Sequence, residues 1–514
     1  MKRPSFHIIR DTAPTGIEKM KTLTRLFSLT TLALALAGCA VGPTYDRPSV
    51  DTPAAFKEAA MNPAEADKWK AAQPSDQLAR GEWWAVFADP ALDALETQAL
   101  AANQDLKAAT ARLQQARALQ RNVRSELFPQ VDAGVGPTRQ RASPASQNIG
   151  NNDSNSATTL YRAQLGVSYE ADLFGRVSST VSAGAADLQQ SEALFHSVQL
   201  ALQADVAQAY FLVRQLDAAQ ALYVSTVELR EQSLKLITRR FTEGDINDLD
   251  VARAKSELSS AKAEAFGVAR QRAEAEHALA ILLGKTPAEF SVAARPIDRV
   301  SVAIPAGLPS SLLERRPDIA AAERAMAAAN ARIGAAKAAF FPRLSLTGAA
   351  GFESSQLSDL FNWSSRTFLL GPLVGTMLSL PILDGGRRQA DLDRARSVYE
   401  EDVANYRQTV LVGFKEVEDN LANLRILAEQ TGAQDDAVEA SSRAARLSHI
   451  QYREGSISFL DVIDADRNVL VQRRTSVQLD GERARYAVNL IRAIGGSWNE
   501  APPAPEAVAA SAAR

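Results

Sequence analysis

Apolar residues recur along this chain at two different periods, and the places where the period changes divide it into elements. From Arg176 to about Thr242 there is no proline, and Leu188, Phe195, Leu202, Ala209, Leu216 and Tyr223 fall seven residues apart, with Val198, Leu212 and Ala219 beside them. Such a heptad seam predicts one helix of roughly 65 residues, about 100 Å long at 1.5 Å per residue, which is more than a globular domain accommodates. A second stripe runs from Arg387 to Arg453, through Val403, Val410, Val417 and Leu424, flanked by Phe414, Leu421 and Ala428. Each long helix is followed by a Glu-Gly turn and a second amphipathic helix that ends near Gly284 or Gly495, so each pair forms an antiparallel hairpin. Shorter helices are expected from Leu92 to Leu127 and from Asp318 to Phe340, with Pro129 and Pro342 marking their ends.

Between these prolines and the long helices the period falls to two. From Leu160 to Leu173, one face collects Ala163, Leu165, Val167, Tyr169, Ala171 and Leu173, while the other collects Arg162, Gln164, Gly166, Ser168, Glu170 and Asp172. This alternation suits a strand with lipid on one side and water on the other, and about a dozen residues exceed the roughly 9 to 11 that a tilted membrane strand needs. Val131 to Arg141 offers a weaker partner across a Ser/Asn-rich loop, Ser143 to Ser156. Leu344, Leu346, Gly348, Ala350 and Phe352 begin a second pair, whose returning strand, Phe368 to Leu383, alternates poorly. The competing reading is a soluble hairpin packed on helices. Four strands cannot close a barrel, since membrane barrels start at about eight, and an open edge in lipid costs several kcal/mol for each unpaired backbone group. Membrane strands here therefore require an oligomer, with two copies supplying eight strands and three supplying twelve.

The two halves also repeat in sequence. Arg240 to Val251 returns as Gln451 to Val462, so that Glu243-Gly244 becomes Glu454-Gly455, a shift of 211. Within two residues the same shift pairs Phe128-Pro129 with Phe341-Pro342, and Gly175-Arg176 with Gly386-Arg387. A duplicated scaffold follows. The expected divisions are a signal segment (1–38), an N-terminal lipidated arm (39–88), a first repeat (89–285), a linker (286–315), a second repeat (316–496) and a disordered Pro/Ala-rich tail (497–514).

Near the N-terminus, Met20-Lys21 and Arg25 precede an apolar stretch from Leu26 to Ala37, which runs into Leu36-Ala37-Gly38-Cys39. The stretch is too short to span a bilayer at about 20 residues per crossing and reads as an export signal with translation starting at Met20. Cys39 is the single cysteine of the chain. Disulfides within one chain are thus excluded, and a thiol placed directly after Gly38 reads as a lipidation point. Ala40 after it resembles the outer-membrane sorting pattern of bacterial lipoproteins.

Composition narrows the function. Of 514 residues, 46% are hydrophobic but only 6% aromatic. Alanine-rich stretches such as Ala320 to Ala339 suit closely packed helices better than a thick core. The 57 basic and 60 acidic residues give a net charge of −3 without a basic block, so nucleic acid is not an expected partner. His7, His196, His277 and His449 show no metal-ligand spacing, and no phosphate loop or Gly-x-Ser-x-Gly occurs. An enzyme is therefore not expected, nor any metal or cofactor beyond covalent lipid on Cys39.

The residues resemble the TolC-like outer membrane factors, and among them the NodT or OprM-type efflux lipoproteins. The resemblance is carried by Cys39 to Tyr45, Trp83-Trp84 followed by Phe87 to Pro90, Gly307 to Ser310, Leu312 to Ile319, Phe340-Phe341-Pro342, Asp384 to Arg387 and both Glu-Gly turns. It implies a mainly α fold with a membrane β-barrel portion: a homotrimer with a twelve-stranded outer membrane barrel, four strands per chain, continued by a long periplasmic α-helical tube. Its implied partners are a periplasmic adaptor, an inner membrane pump of the RND type and outer membrane lipid. The implied function is the outer membrane channel of a tripartite efflux system, exporting drugs, other small molecules or metal ions. Rival readings are the duct of a type I protein secretion system and a non-channel periplasmic coiled-coil lipoprotein.

A duct needs a polar lumen and one controllable narrow point, expected where helices converge at the hairpin tips. By the resemblance, Asp461 and Asp464 fall on the family's paired gate aspartates. Three chains would gather up to six carboxylates, a ring that attracts cations. Ser458 to Asp461 also has capping-box spacing, as does Asn247 to Asp250 more loosely, so Asp461 and Asp250 are expected to cap their helices. Under the shift Asp464 corresponds to Arg253, and this opposite charge makes Arg253, Tyr452 and Arg453 its expected closing partners. Gly244 and Gly455 supply left-handed backbone. With Glu243, Asp245, Glu454 and Ser456 they form the expected adaptor-docking tips.

Overall fold

The computed structural model describes residues 41–50, 52–53, 56–58, 81–141, 156–299, 312–313, 315–370 and 377–496. The signal segment with Cys39, Trp69, nearly all of the Ser/Asn-rich loop, much of the linker and the tail lie outside the described residues. A 3-10 turn, Trp83–Phe87, leads into α1 (Pro90–Ala102), α2 (Gln104–Arg124), β1 (Gln130–Gln140), β2 (Thr158–Ala171), α3 (Arg176–Thr242) and α4 (Asp248–Leu282). The second half follows with α5 (Pro317–Ala338), β3 (Arg343–Ser354), β4 (Arg366–Leu370), β5 (Leu378–Ser379), α6 (Arg387–Arg453) and α7 (Phe459–Ala493). The duplication is expressed down to element length, since α3 and α6 each have 67 residues and α4 and α7 each have 35.

Two elements differ from the sequence expectation. The single helix expected from Leu92 to Leu127 is broken at Asn103, whose backbone (φ −57°, ψ 134°) leaves the helical region. Its side-chain oxygen accepts from Leu106 N at 2.9 Å and so caps α2, while its amide donates to Leu282 O at 2.9 Å. The returning strand of the second pair is split into β4 and β5, and both pair with β3.

The chain divides into two compact units that cut across the repeats, each drawing on both halves. The first takes residues 118–186 and 327–401 together with the N-terminal arm up to Asp46. It holds an antiparallel sheet in the order β1-β2-β3-β4, with β5 also on β3. Register preserves the alternation read from sequence: Ala163, Leu165, Val167 and Tyr169 sit opposite Phe352, Ala350, Gly348 and Leu346, and Arg162, Gln164 and Ser168 sit opposite Glu353, Gly351 and Thr347. Apolar side chains on the first of these faces are uncovered in the single chain: Val135 is 80% exposed, Leu165 56%, Phe368 78% and Leu370 83%. The polar face carries an ion pair between Arg162 Nε and Glu353 Oε2 at 2.6 Å. Where strand passes to helix, Asp172 accepts from Val177 N at 3.0 Å and Ser178 N at 2.7 Å, and Asp384 accepts from Arg388 N at 3.1 Å. The carboxylate, rather than the neighbouring arginine, therefore caps each long helix. Arg176 instead forks onto Glu170 at 2.7 and 3.0 Å.

The second unit comprises residues 47–117, 187–326 and 402–514. Heptad residues meet as the periodicity requires. Val213 and Leu216 of α3 pack with Ala275 of α4, and Val417 of α6 packs with Leu490 and Ala493 of α7. A third contact sets α3 against α7 through Ala204, Ala207 and Tyr210 with Ala484, Val488 and Ile491, and Trp83 and Trp84 fill the space beside it. The inter-repeat linker is strapped onto both hairpins. Arg295 N donates to Asp217 of α3 at 2.9 Å, and the Arg299 guanidinium reaches Asp435 of α6 at 2.8 Å and Asp480 of α7 at 2.9 Å. No described helix is long and apolar enough to cross a membrane.

Candidate gate at the hairpin tips

Both tips are built by the same hydrogen bonds. At the end of α3, Gly244 N donates to Phe241 O at 3.0 Å and Asp245 N to Arg240 O at 2.9 Å. At the end of α6, Gly455 N donates to Tyr452 O at 3.1 Å and Ser456 N to Gln451 O at 2.9 Å. This is the Schellman arrangement, in which the residue past the helix takes positive φ. Gly244 has φ +86° and Gly455 φ +73°, and no atom lies near enough to either to obstruct a side chain. Glycine is therefore demanded by the dihedral and not by crowding. Glu243, Asp245, Glu454 and Ser456 are exposed around the two turns.

Just behind the turns the two hairpins share one small apolar core. Ile237 of α3, Ala254 of α4, and Phe459, Val462 and Ile463 of α7 are buried together, with Ile246, Ile457 and Tyr452 packed against them. The Tyr452 ring lies 5.6 Å from Phe459 and beneath the Arg240 guanidinium at 5.2 Å, which joins the first hairpin to the second by a cation–π contact. Arg453 is exposed and makes no ion pair among the described residues.

The acidic residues divide by role. Ser458 and Asp461 form a complete capping box: the Asp461 carboxylate accepts from Ser458 N at 2.9 Å and from its hydroxyl at 2.7 Å. These bonds, the Ser458 hydroxyl foremost, hold the Asp461 carboxyl below its ordinary range. In the first repeat the box is half formed. Asn247 caps Asp250 N at 3.3 Å, but the Asp250 carboxylate turns to Arg253 at 3.3 Å. Asp464 stands one turn beyond the cap, its side chain 63% exposed, 3.7 Å from Arg467. Within one chain Arg253 and Asp464 thus each pair along their own helix and not with each other.

Sequence reasoning missed the ion pairs that hold the helices together behind the tips, of which the one between Glu257 and Arg467 joins the two hairpins. The carboxylate of Glu257 of α4, a residue 8% exposed, lies 3.1 Å from the Arg230 guanidinium of α3, which donates to the Glu257 carbonyl at 2.6 Å, and accepts from Arg467 Nε of α7 at 3.0 Å. A signal was available, because Glu257 interrupts an otherwise alanine stripe, Ala254 and Ala261, at helical spacing. His449 of α6 meets Asp466 of α7 at 3.0 Å.

The tips therefore hold helices together and present carboxylates around the turns. The probable efflux pump outer membrane protein TtgC of Pseudomonas putida is 36% identical over 481 residues, covering 92% of this chain and 96% of its own. The cation efflux system protein CusC of Escherichia coli is 33% identical over 473 residues, covering 91% and 98%. The MtrE outer membrane channel of Neisseria gonorrhoeae, solved in an open state, superposes with a TM-score of 0.76 at 31% identity, covering 89% of this chain and 98% of its own. The family model for outer membrane efflux proteins matches residues 95–285 and 308–496, and the chain belongs to that family.

Proposed function

We propose that this protein is the outer membrane channel of a tripartite efflux system, passive in itself, through which small molecules or metal ions delivered by a periplasmic adaptor and an inner membrane pump of the RND type leave the cell. The observation that carries the reading is the sheet, in which β4 and β5 together form one split returning strand beside β3, so that each chain supplies four strand positions. One face is apolar and exposed, the other is polar, and β1 and β4 each leave an edge unpaired among the described residues. Such a sheet is stable in lipid only when its edges are closed by copies of itself, and three copies supply twelve strands. The relatives support the functional side, being named for efflux of toluene, antibiotics or cations. Lipidation at Cys39 would anchor the arm to the same membrane, and mass spectrometry of the mature N-terminus tests it.

The sheet assignment has its own test. Arginine at Leu165, on the exposed apolar face, should lower the yield of assembled protein in the outer membrane fraction, since a midplane arginine on a lipid face costs about 2 to 4 kcal/mol. Arginine at Gln164, the next residue, faces the polar side and should be tolerated. Equal tolerance at both positions would mean that the apolar face does not meet lipid.

At the tips, Asp464 is the residue we assign to the constriction. Its carboxylate is largely exposed and, among the described residues, held only by a long contact to Arg467, whereas Asp461 is occupied by its cap. Three copies would bring Asp464 side chains around one axis, a ring that draws in cations and narrows the opening. Asp464→Ala should raise single-channel conductance in planar bilayers and weaken block by divalent cations. Unchanged conductance with unchanged block would remove Asp464 from the gate.

A further inference from the structure

Above the shared tip core, a cavity of about 360 Å³ opens between the two hairpins, lined by α3, α4, α6 and α7. Its apolar wall includes Leu222 and Leu229 of α3 and Phe459, Ile463 and Leu470 of α7. The volume falls at the lower end of the range for small-molecule sites, which are mostly apolar with a few placed polar groups.

The charges around the cavity do not cancel. Of its two carboxylates, Glu257 is taken by Arg230 and Arg467, and Asp466 by His449. Two further lining cations, Arg446 of α6 and Arg473 of α7, have no hydrogen bond or ion pair among the described residues. In the same wall the Ser442 hydroxyl is buried without a hydrogen-bond partner among the described residues. A buried unpartnered hydroxyl costs free energy that a bound acceptor recovers. The cavity thus combines an apolar wall, surplus positive charge and a vacant donor.

We propose that this cavity binds a small amphipathic organic anion, with its apolar body against Leu222, Phe459 and Ile463 and its carboxylate or sulfonate held by Arg446, Arg473 and the Ser442 hydroxyl. Cations are disfavoured, because Glu257 is already held by two arginines and Asp466 by His449, and the two unpaired arginines outweigh the one carboxylate that no arginine holds. A ligand seated there touches α3 of the first hairpin and both helices of the second, so its binding bears on how the hairpins hold together above the tips.

Isothermal titration of the full-length protein in detergent tests this, with 1-naphthoate as the probe and uncharged 1-naphthamide as its control. The expected result is saturable binding of one naphthoate per chain, about ten-fold weaker binding of the amide, and a loss of at least about ten-fold in the Arg446→Gln/Arg473→Gln double variant. Both arginines are exposed, so the variant should keep the wild-type melting curve, and Arg446→Lys/Arg473→Lys should recover part of the affinity. Non-saturable partitioning, equal affinity for acid and amide, or full affinity in the double glutamine variant would each overturn the proposal.

Discussion

Replacing Arg316 with leucine is expected to destabilise the protein by about 3 kcal/mol or more. Arg316 precedes α5 and is 7% exposed. Its guanidinium forks onto Asp318 at 3.1 and 2.7 Å, and the remaining nitrogen reaches Glu416 of α6 at 2.6 Å and the Ala493 carbonyl of α7 at 3.0 Å. One side chain therefore fixes the start of the second repeat to both helices of the second hairpin. Leucine fills part of the volume but leaves Glu416 and the Ala493 carbonyl without this donor and Asp318 with only the Ile319 N–H at 3.0 Å, and the penalty of those lost partners exceeds the net worth of the bridge itself. Thermal unfolding in detergent should show a clear drop in the midpoint, and Arg316→Leu/Glu416→Gln should recover part of it. A leucine variant that melts like wild type would mean that water already satisfies these carboxylates.

The opposite sign is expected at Glu96, where glutamine should stabilise the protein at neutral and alkaline pH. Glu96 of α1 is fully buried, and neither carboxylate oxygen has a hydrogen-bond partner among the described residues. Burial, with a smaller contribution from nearby Asp93, pushes its carboxyl up to about 9 from an ordinary 4.5. Between those values the unfolded chain has released the proton and the folded chain keeps it, so stability falls as pH rises, by about 1.4 kcal/mol per unit. At pH 7 the accumulated cost is roughly 3 kcal/mol. Glu96→Gln removes the titration. Its advantage over wild type in melting midpoint should be small near pH 5 and grow toward pH 8. A difference that does not change with pH would show that Glu96 does not stay protonated in the folded chain.

The parts of the fold legible in sequence are those where a single period persists. Seven-residue spacing from Leu188 to Tyr223 placed α3, and its copy placed α6, because over so many turns only one face can be buried. Period-two alternation from Ala163 to Ala171 placed β2 and the face it exposes. What could not be read depends on partners distant in sequence. Asn103 breaks a helix whose apolar pattern continues, because its amide finds a carbonyl in α4. Arg316 belonged to a motif whose purpose shows only when α6 and α7 come beside it. At the tips, the capping role of Asp461 was legible from local spacing, since the bond spans three residues. The Glu257 pairs were not, because they join segments some 27 and 210 residues apart. Duplication helps and misleads at once. It located both turns, yet the hairpins are joined by residues the repeats do not share, since Glu257 corresponds to Asn468 and Arg467 to Ser256 under the shift of 211.

Closure of the sheet by identical copies is tested most directly by electron microscopy of the detergent-purified protein. The account predicts particles with three-fold symmetry, in which β1 of each chain lies against β4 of its neighbour to complete a ring of twelve strands. A monomer with both edges free, or an assembly whose strands form no ring, would contradict it.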